Sequence, residues 1–160
     1  MIDGIRERYD PAARLVRPHI TLVFPFESVF SAEDIRQHVE RSVAGIKPFA
    51  LTLQGISARK SFGNYLLLDV HDGIEAIREM HERLYTGILE PFLPQWCNPE
   101  CVPYDPHLTV GRIEEDDAFA AAVQAVAGVN DLFSTTVQQV AVEIIEPDGG
   151  STIESVIRLD

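Results

Sequence analysis

Two copies of a His-x-Thr motif carry the side chains best suited to chemistry. They occupy residues 19–21 and 107–109, and each follows a proline. An imidazole changes its charge near neutral pH, so one histidine can accept a proton while the other donates one. A threonine hydroxyl two residues along a strand lies on the same face and can donate to a phosphate oxygen. We therefore predict a reaction at phosphorus that needs no metal and no cofactor, with four catalytic residues: His19, Thr21, His107 and Thr109.

A single histidine on a strand is usually structural, but strand packing has no need of histidine at two matching places. The remaining histidines, His38, His71 and His81, lie beside helical apolar stripes or at a strand end, and we assign them no role. The two cysteines, Cys97 and Cys101, lack the spacing of a four-ligand zinc site and are predicted to be reduced thiols without function.

The helices and strands that position the two motifs are predicted to occur twice in the same order along the chain. Alternating apolar residues predict a strand over 18–24 and another from Phe49, and the run from Tyr65 to Val70 predicts the hairpin partner of the latter. Between the two strands, Ser31 and Asp34 resemble a capping box, and apolar residues at helical spacing predict a helix of about 15 residues after it. A helix with apolar positions from 74 to 88 and a proline-rich loop follow. Beyond the loop the pattern predicts a strand over 107–113, a helix opened by the acidic residues 114–117, and strands over 133–145 and 152–159.

Two short segments with matching patterns, which we call the first and second echoes, support this repetition. Residues 49–56 and 133–140 share their alternation and also the same slip in its phase, which predicts a β-bulge. We predict an α+β fold with a bilobal internal duplication, in which two antiparallel sheets line a central cleft and helices pack outside. Residues 1–160 would form a single two-lobed domain with one His-x-Thr motif in each lobe.

The net charge of −12 argues against binding to long duplex nucleic acid, whose affinity depends on neutralising phosphates. Nine of the 13 Lys and Arg residues lie in residues 1–60, so a phosphate group is expected to bind near that part. No apolar run approaches the roughly 18 to 20 residues that cross a bilayer. The mixed charges at the N-terminus do not resemble a secretory signal. We predict a cytoplasmic monomer that binds no membrane.

Residues near the two motifs are candidates for holding a substrate. Basic side chains suit its phosphate and aromatic rings can stack on a base, although surface exposure or core packing explains them equally well. The predicted substrate-binding residues are Arg17, Arg59, Lys60, Phe62, Tyr65 and Tyr104. Strand alternation puts Arg112 on the face opposite His107 unless the strand is bulged at Gly111.

The segments Pro18-His19-Ile20-Thr21-Leu22 and Pro106-His107-Leu108-Thr109-Val110 resemble the paired signature of the two-histidine phosphoesterases. This superfamily includes the bacterial 2'-5' RNA ligases and several cyclic phosphodiesterases, and the resemblance runs the length of the chain. It implies a bilobal α+β fold and metal-independent cleavage of 2',3'-cyclic phosphates of nucleotides or RNA ends. It also implies that the histidines are acid and base and the threonines phosphate ligands, with 2'-5' RNA ligase-like activity as a further property.

Two other classes of function compete with this interpretation. A non-catalytic nucleotide-binding module could keep the fold, although binding alone does not need two matched proton-transfer groups. A metal-dependent hydrolase would need more ligands at metal spacing than the sequence offers. Ligand binding without turnover would favour the first alternative, and loss of activity with chelators the second.

Overall fold

The structure, a computed structural model, describes residues 1–60, 63–97 and 103–160. In these ranges the chain forms four α-helices: α1 (Ile2–Tyr9), α2 (Ala32–Val43), α3 (Ile74–Leu84) and α4 (Asp116–Val126). A 3-10 helix spans Gly87–Phe92. The strands are β1 (Phe49–Arg59), β2 (Tyr65–Val70), β3 (His107–Arg112), β4 (Leu132–Val137), β5 (Gln139–Ile145) and β6 (Ser151–Arg158).

The strands form two antiparallel sheets, one in the order β3-β2-β1-β4 and one in which β5 pairs with β6. One face of the larger sheet contributes Leu66, Leu68 and Val110 to the core, and all three are almost completely buried. Val43 of α2, Ile77 of α3 and Phe119 of α4 belong to the same core. The α+β class predicted from the sequence is therefore confirmed.

The helices follow their sequence signals with small changes in length. At the start of α2, Ser31 and Asp34 form the predicted capping box, in which each side chain bonds the other residue's backbone N–H. The apolar period of the third helix continues to Ile88, but α3 ends at Leu84 and Ile88 belongs to the 3-10 helix. The short helix α1 was not predicted from the sequence.

The bulge predicted from the phase slip in β1 is confirmed. The pairing of β1 with β2 shifts register between Leu53 and Ile56, and Gly55 within this step has a φ of 78°. Glycine adopts this left-handed conformation without steric cost, so the strand can change phase there.

The single strand predicted over 133–145 is wrong, because the chain changes sheets within it. β4 ends at Val137 and pairs with β1, whereas β5 begins at Gln139 and pairs with β6. The phase slip of this second echo thus marks a crossing between sheets, where the slip of the first marks a bulge. Within the β1–β4 pair, Phe49 faces Val137, Leu51 faces Thr135 and Leu53 faces Phe133. If residues 49–56 are exchanged with the matching residues 133–140, the same residue pairs result.

The predicted strand over 18–24 is also wrong. Only Ile20 makes a β-bridge, an antiparallel one to Leu108, and the rest of the segment forms no ladder and bends at residues 18, 22 and 23. Pro18 and Pro25 flank the segment and have no N–H to donate to a neighbouring strand. Most of its main-chain partners are side chains from elsewhere in the fold, described below.

Candidate active site

Both motif histidines are held by the same local hydrogen bond. The Nδ1 atom of His19 lies 2.8 Å from the carbonyl oxygen of Arg17, and that of His107 lies 2.7 Å from the carbonyl oxygen of Asp105. A carbonyl oxygen can only accept, so Nδ1 carries a proton in both rings. In the neutral ring this fixes the tautomer and leaves the lone pair on Nε2, which can then accept a proton.

The bridge between Ile20 and Leu108 brings the two motifs side by side. In an antiparallel pair the neighbours of the bridged residues also face each other, so His19 lies opposite Thr109 and Thr21 opposite His107. Ile20 and Leu108 pack against the core. Because side chains alternate along extended chains, the two histidines and two threonines point to the other face. His19 is exposed and the other three are partly exposed.

A bulge in β3 brings Arg112 to this same face. Thr109 pairs with Leu67 and Gly111 with Leu66, so Val110 has no partner in the register and the alternation changes phase. Arg112 then pairs with Tyr65, which shares a face of β2 with the partners of Thr109 and His107. From the sequence, Arg112 was expected on this face only if the strand was bulged at Gly111, and the register shift next to Gly111 is such a bulge.

Arg59 lies on the same face of the sheet, and Lys60 contacts a different part of the protein. Arg59 pairs with Tyr65 in the β1–β2 register, and its Nη2 atom is 3.5 Å from a carboxylate oxygen of Asp105. Lys60 is 3.2 Å from Asp116, at the start of α4, and lies over the ring of Phe119. Arg17 is exposed and contributes the carbonyl oxygen that holds His19. Phe62, another of the predicted substrate-binding residues, lies outside the described residues.

Tyr104, one of the predicted substrate-binding residues, has its ring and its hydroxyl engaged by other residues of the protein. It stacks on His81 with 3.8 Å between ring centroids and 3° between planes, and its hydroxyl donates to the carbonyl oxygen of Thr21 over 2.6 Å. Burial raises the pKa of this hydroxyl far above its usual range, so it remains a donor.

Two further side chains that sequence reasoning did not connect with the site hold the first motif. His81, predicted to be structural, is buried with 6% exposure, and its Nδ1 atom donates to the carbonyl oxygen of Leu22 over 2.7 Å. The hydroxyl of Tyr85 accepts from the N–H of Phe24 over 2.8 Å. Pro18 and Pro25 were the available sequence signal, because a main chain that cannot join a β-ladder needs other hydrogen-bond partners.

His81 is expected to make stability depend on pH. Burial lowers its pKa, outweighing the opposite effects of the Leu22 carbonyl and Glu82, and the other titratable groups around the ring are Cys97, Tyr85 and Tyr104. The unfolded chain takes up this proton near pH 6.5, whereas the folded chain resists it. The resulting stability is complete above about pH 6.5 and is lost as the pH falls toward the lowered folded pKa.

We therefore expect the free energy of unfolding of the protein to fall between about pH 7 and pH 5, and to fall less in His81→Gln. Urea titrations at a series of pH values measure both slopes. Equal slopes in the two proteins would contradict the assignment of this titration to His81.

The described residues hold no group of three or more His, Cys, Asp or Glu side chains placed to bind a metal ion. In the same part of the chain, no helix combines the length and apolarity needed to cross a membrane.

A known protein-family model matches most of this chain. Residues 1–149 match the family model of the 2'-5' RNA ligase superfamily, and the chain therefore belongs to that superfamily. The resemblance noted from the paired His-x-Thr motifs is thus confirmed.

Individual relatives share part of their length with this chain. A Bacillus licheniformis protein named "Putative phosphoesterase" is 31% identical over 116 residues, which cover 72% of this chain and 64% of the relative. A Geobacillus kaustophilus protein with the same name is 31% identical over 113 residues, covering 69% and 60%. The chain thus spans less than two thirds of the length of these relatives. The crystal structure of TT0787 of Thermus thermophilus matches 94% of this chain and 81% of its own, with a TM-score of 0.64 and 18% identity, and so shares the fold.

Proposed function

We propose that this protein is a phosphoesterase that opens 2',3'-cyclic phosphates of nucleotides or RNA ends without a metal ion. The observation that carries the proposal is the bridge between Ile20 and Leu108, which puts two equivalent imidazoles on one face. Their matching Nδ1 hydrogen bonds support it, because each leaves Nε2 to exchange a proton with the substrate.

In the proposed reaction, Nε2 of one histidine accepts a proton from water while the water oxygen bonds to phosphorus. The other histidine, protonated on both nitrogens, donates a proton to the 2' or 3' oxygen as the bond from that oxygen to phosphorus breaks. One water is consumed and a phosphomonoester is formed. Thr21 and Thr109 donate to the non-bridging oxygens, where negative charge increases in the transition state. Substrate orientation decides which of His19 and His107 is the base.

The charges near the site favour a compact substrate. The whole chain carries a net charge of −12, which opposes a long nucleic acid. Arg59 and Arg112 both pair with Tyr65 and lie on the same face of the sheet as His107, where they can attract one phosphate group. Tyr65 lies between them in the register and offers a ring for a base. We propose these three residues as the substrate-binding set; Arg17 remains a candidate beside the first motif.

We also propose that the domain arose by internal duplication, with the two motifs related by a local twofold axis. The β1–β4 register supports this, because it is unchanged when the two sequence echoes are exchanged. In each half a His-x-Thr segment is followed by a helix and then by antiparallel strands. The proposed catalytic face would then lie between the two sheets, as in a cleft.

A bell-shaped dependence of kcat/KM on pH is expected, since one histidine must be neutral while the other is protonated. The two limbs belong to the coupled pair and not to either residue alone. Steady-state rates across about pH 5 to 9 measure the profile. A flat profile would contradict rate-limiting proton transfer by histidine.

The direct test is hydrolysis of 2',3'-cyclic nucleotides and of RNA oligonucleotides that end in a 2',3'-cyclic phosphate, in the presence of EDTA. We expect conversion to the monoester, followed by phosphorus NMR, at a rate unaffected by the chelator. Binding of these compounds without turnover would support the nucleotide-binding module instead. Turnover that requires an added divalent metal would contradict the metal-independent mechanism.

A further inference from the structure

Three aromatic side chains hold the main chain at and just after the first motif, in addition to the single bridge at Ile20. Tyr104 donates to the carbonyl of Thr21, His81 donates to the carbonyl of Leu22, and Tyr85 accepts from the N–H of Phe24. The distances are 2.6, 2.7 and 2.8 Å. We call Tyr85, His81 and Tyr104 the anchoring cluster. A segment with only one bridged residue has no ladder to fix its position, so it depends on these side-chain bonds.

The anchoring cluster is itself rigidly supported. His81 stacks on Tyr104 and meets Tyr85 edge-on, with 5.0 Å between the ring centroids. The Nε2 atom of His81 is 3.8 Å from the Sγ atom of Cys97, which is buried. Arg78 donates from Nε to the carbonyl oxygen of Tyr104 over 3.2 Å. Rings packed on several sides keep one rotamer, so their polar atoms are fixed before a substrate arrives.

Tyr104 connects the two motifs directly. Its hydroxyl binds the main chain at Thr21, and the next residue in sequence, Asp105, provides the carbonyl oxygen that orients His107. A shift of Tyr104 would therefore change the position of one motif relative to the other. Proton transfer is sensitive to such shifts, because a misplacement of about 1 Å costs on the order of 100-fold in rate.

We propose that the anchoring cluster positions the first motif, with Tyr104, His81 and Tyr85 setting where His19 and Thr21 lie relative to His107 and Thr109. These residues act through the main chain of residues 21–24 and do not touch the reacting atoms. The effect on catalysis rests on the proposed function; the effect on the order of the segment does not.

Three variants and a matched control test the proposal. Tyr104→Phe removes one oxygen and keeps the stacked ring; His81→Leu removes the donor to Leu22; His81→Gln retains an N–H donor. The control is His38→Leu, because His38 is also 6% exposed and its Nε2 atom lies 2.9 Å from a main-chain carbonyl, that of Leu84 in α3. It therefore reproduces the loss of a buried histidine without affecting residues 21–24.

The first measurement is amide hydrogen exchange of the free protein. We expect exchange in residues 20–24 to be about 10-fold faster in Tyr104→Phe and His81→Leu than in His38→Leu, the effect of losing one hydrogen bond. His81→Gln should restore slow exchange. Exchange in this segment equal to that of the control would overturn the proposal. Tyr104→Phe decides the matter if His81→Leu does not fold.

The second measurement is turnover of a 2',3'-cyclic nucleotide. We expect kcat to fall about 10- to 100-fold in Tyr104→Phe and His81→Leu, while KM changes less than about threefold. A purely structural role would leave kcat per folded molecule unchanged, and that result would overturn the catalytic part of the proposal. If the wild-type protein turns over no cyclic phosphate, the proposed function fails and the exchange result alone decides the positioning role.

Discussion

Alanine at either motif histidine is expected to reduce kcat on a 2',3'-cyclic phosphate by about 10² to 10⁴-fold, because each substitution removes the acid or the base. His19→Ala and His107→Ala should have effects of similar size, since the two rings have equivalent hydrogen bonds. Thr21→Ala and Thr109→Ala should lose less, because each removes one donor to a phosphate oxygen. Initial rates with purified variants measure all four losses.

The matched control for this prediction is His71→Ala. His71 is exposed and has its own main-chain contact, 3.2 Å from Nε2 to the carbonyl oxygen of Gln54, but it belongs to neither motif. Its variant should keep the wild-type rate. Full activity in His19→Ala or His107→Ala, with the protein folded, would contradict acid–base catalysis by these rings.

The largest effect on stability is expected at Arg6. This side chain is buried, lies 2.8 Å from the carboxylate of Asp10 and donates to the carbonyl oxygen of Val16 over 2.9 Å. Arg6→Met would leave Asp10 buried without its partner, and breaking a buried ion pair in this way costs about 3 to 5 kcal/mol. Urea unfolding measures the difference.

Arg36→Met provides the comparison, because Arg36 also pairs with carboxylates on a helix but at the surface. It binds Glu33 over 2.7 Å and contacts Glu40, and its hydrogen bonds with Glu33 lower the pKa of that carboxyl to about 2. Because solvent screens such an exposed pair, we expect Arg36→Met to lower the free energy of unfolding much less than Arg6→Met does. Equal losses in the two variants would contradict the buried role of Arg6.

Local sequence signals predicted most elements of the fold because they report local physics. Ser31 and Asp34 occupy capping positions, and the apolar run within Tyr65 to Val70 forms a largely buried strand. The pairing of strands could not be predicted from local signals. The same phase slip produced a bulge at Gly55 and a change of sheets at Gln138, and a period in the sequence does not encode which strand lies alongside.

The candidate site, like the fold, could be predicted from the sequence only in part. The two motifs could be recognised from residue type and spacing, and the place of Arg112 could be stated as depending on a bulge. The hydrogen bonds of His81 and Tyr85 to residues 22 and 24 join positions about 60 residues apart, which no local pattern reveals. The sequence therefore sufficed to predict the candidate reactive groups, whereas the side chains that hold the first motif could be found only in the folded structure.

A crystal structure with a bound nucleoside 2'-monophosphate would show whether both motifs act on one phosphate group. We expect the Nε2 atoms of His19 and His107 both to lie about 2.6 to 3.2 Å from oxygens of the same phosphate, with Thr21 and Thr109 on the non-bridging oxygens. A phosphate that contacts only one of the two histidines, or neither, would contradict it.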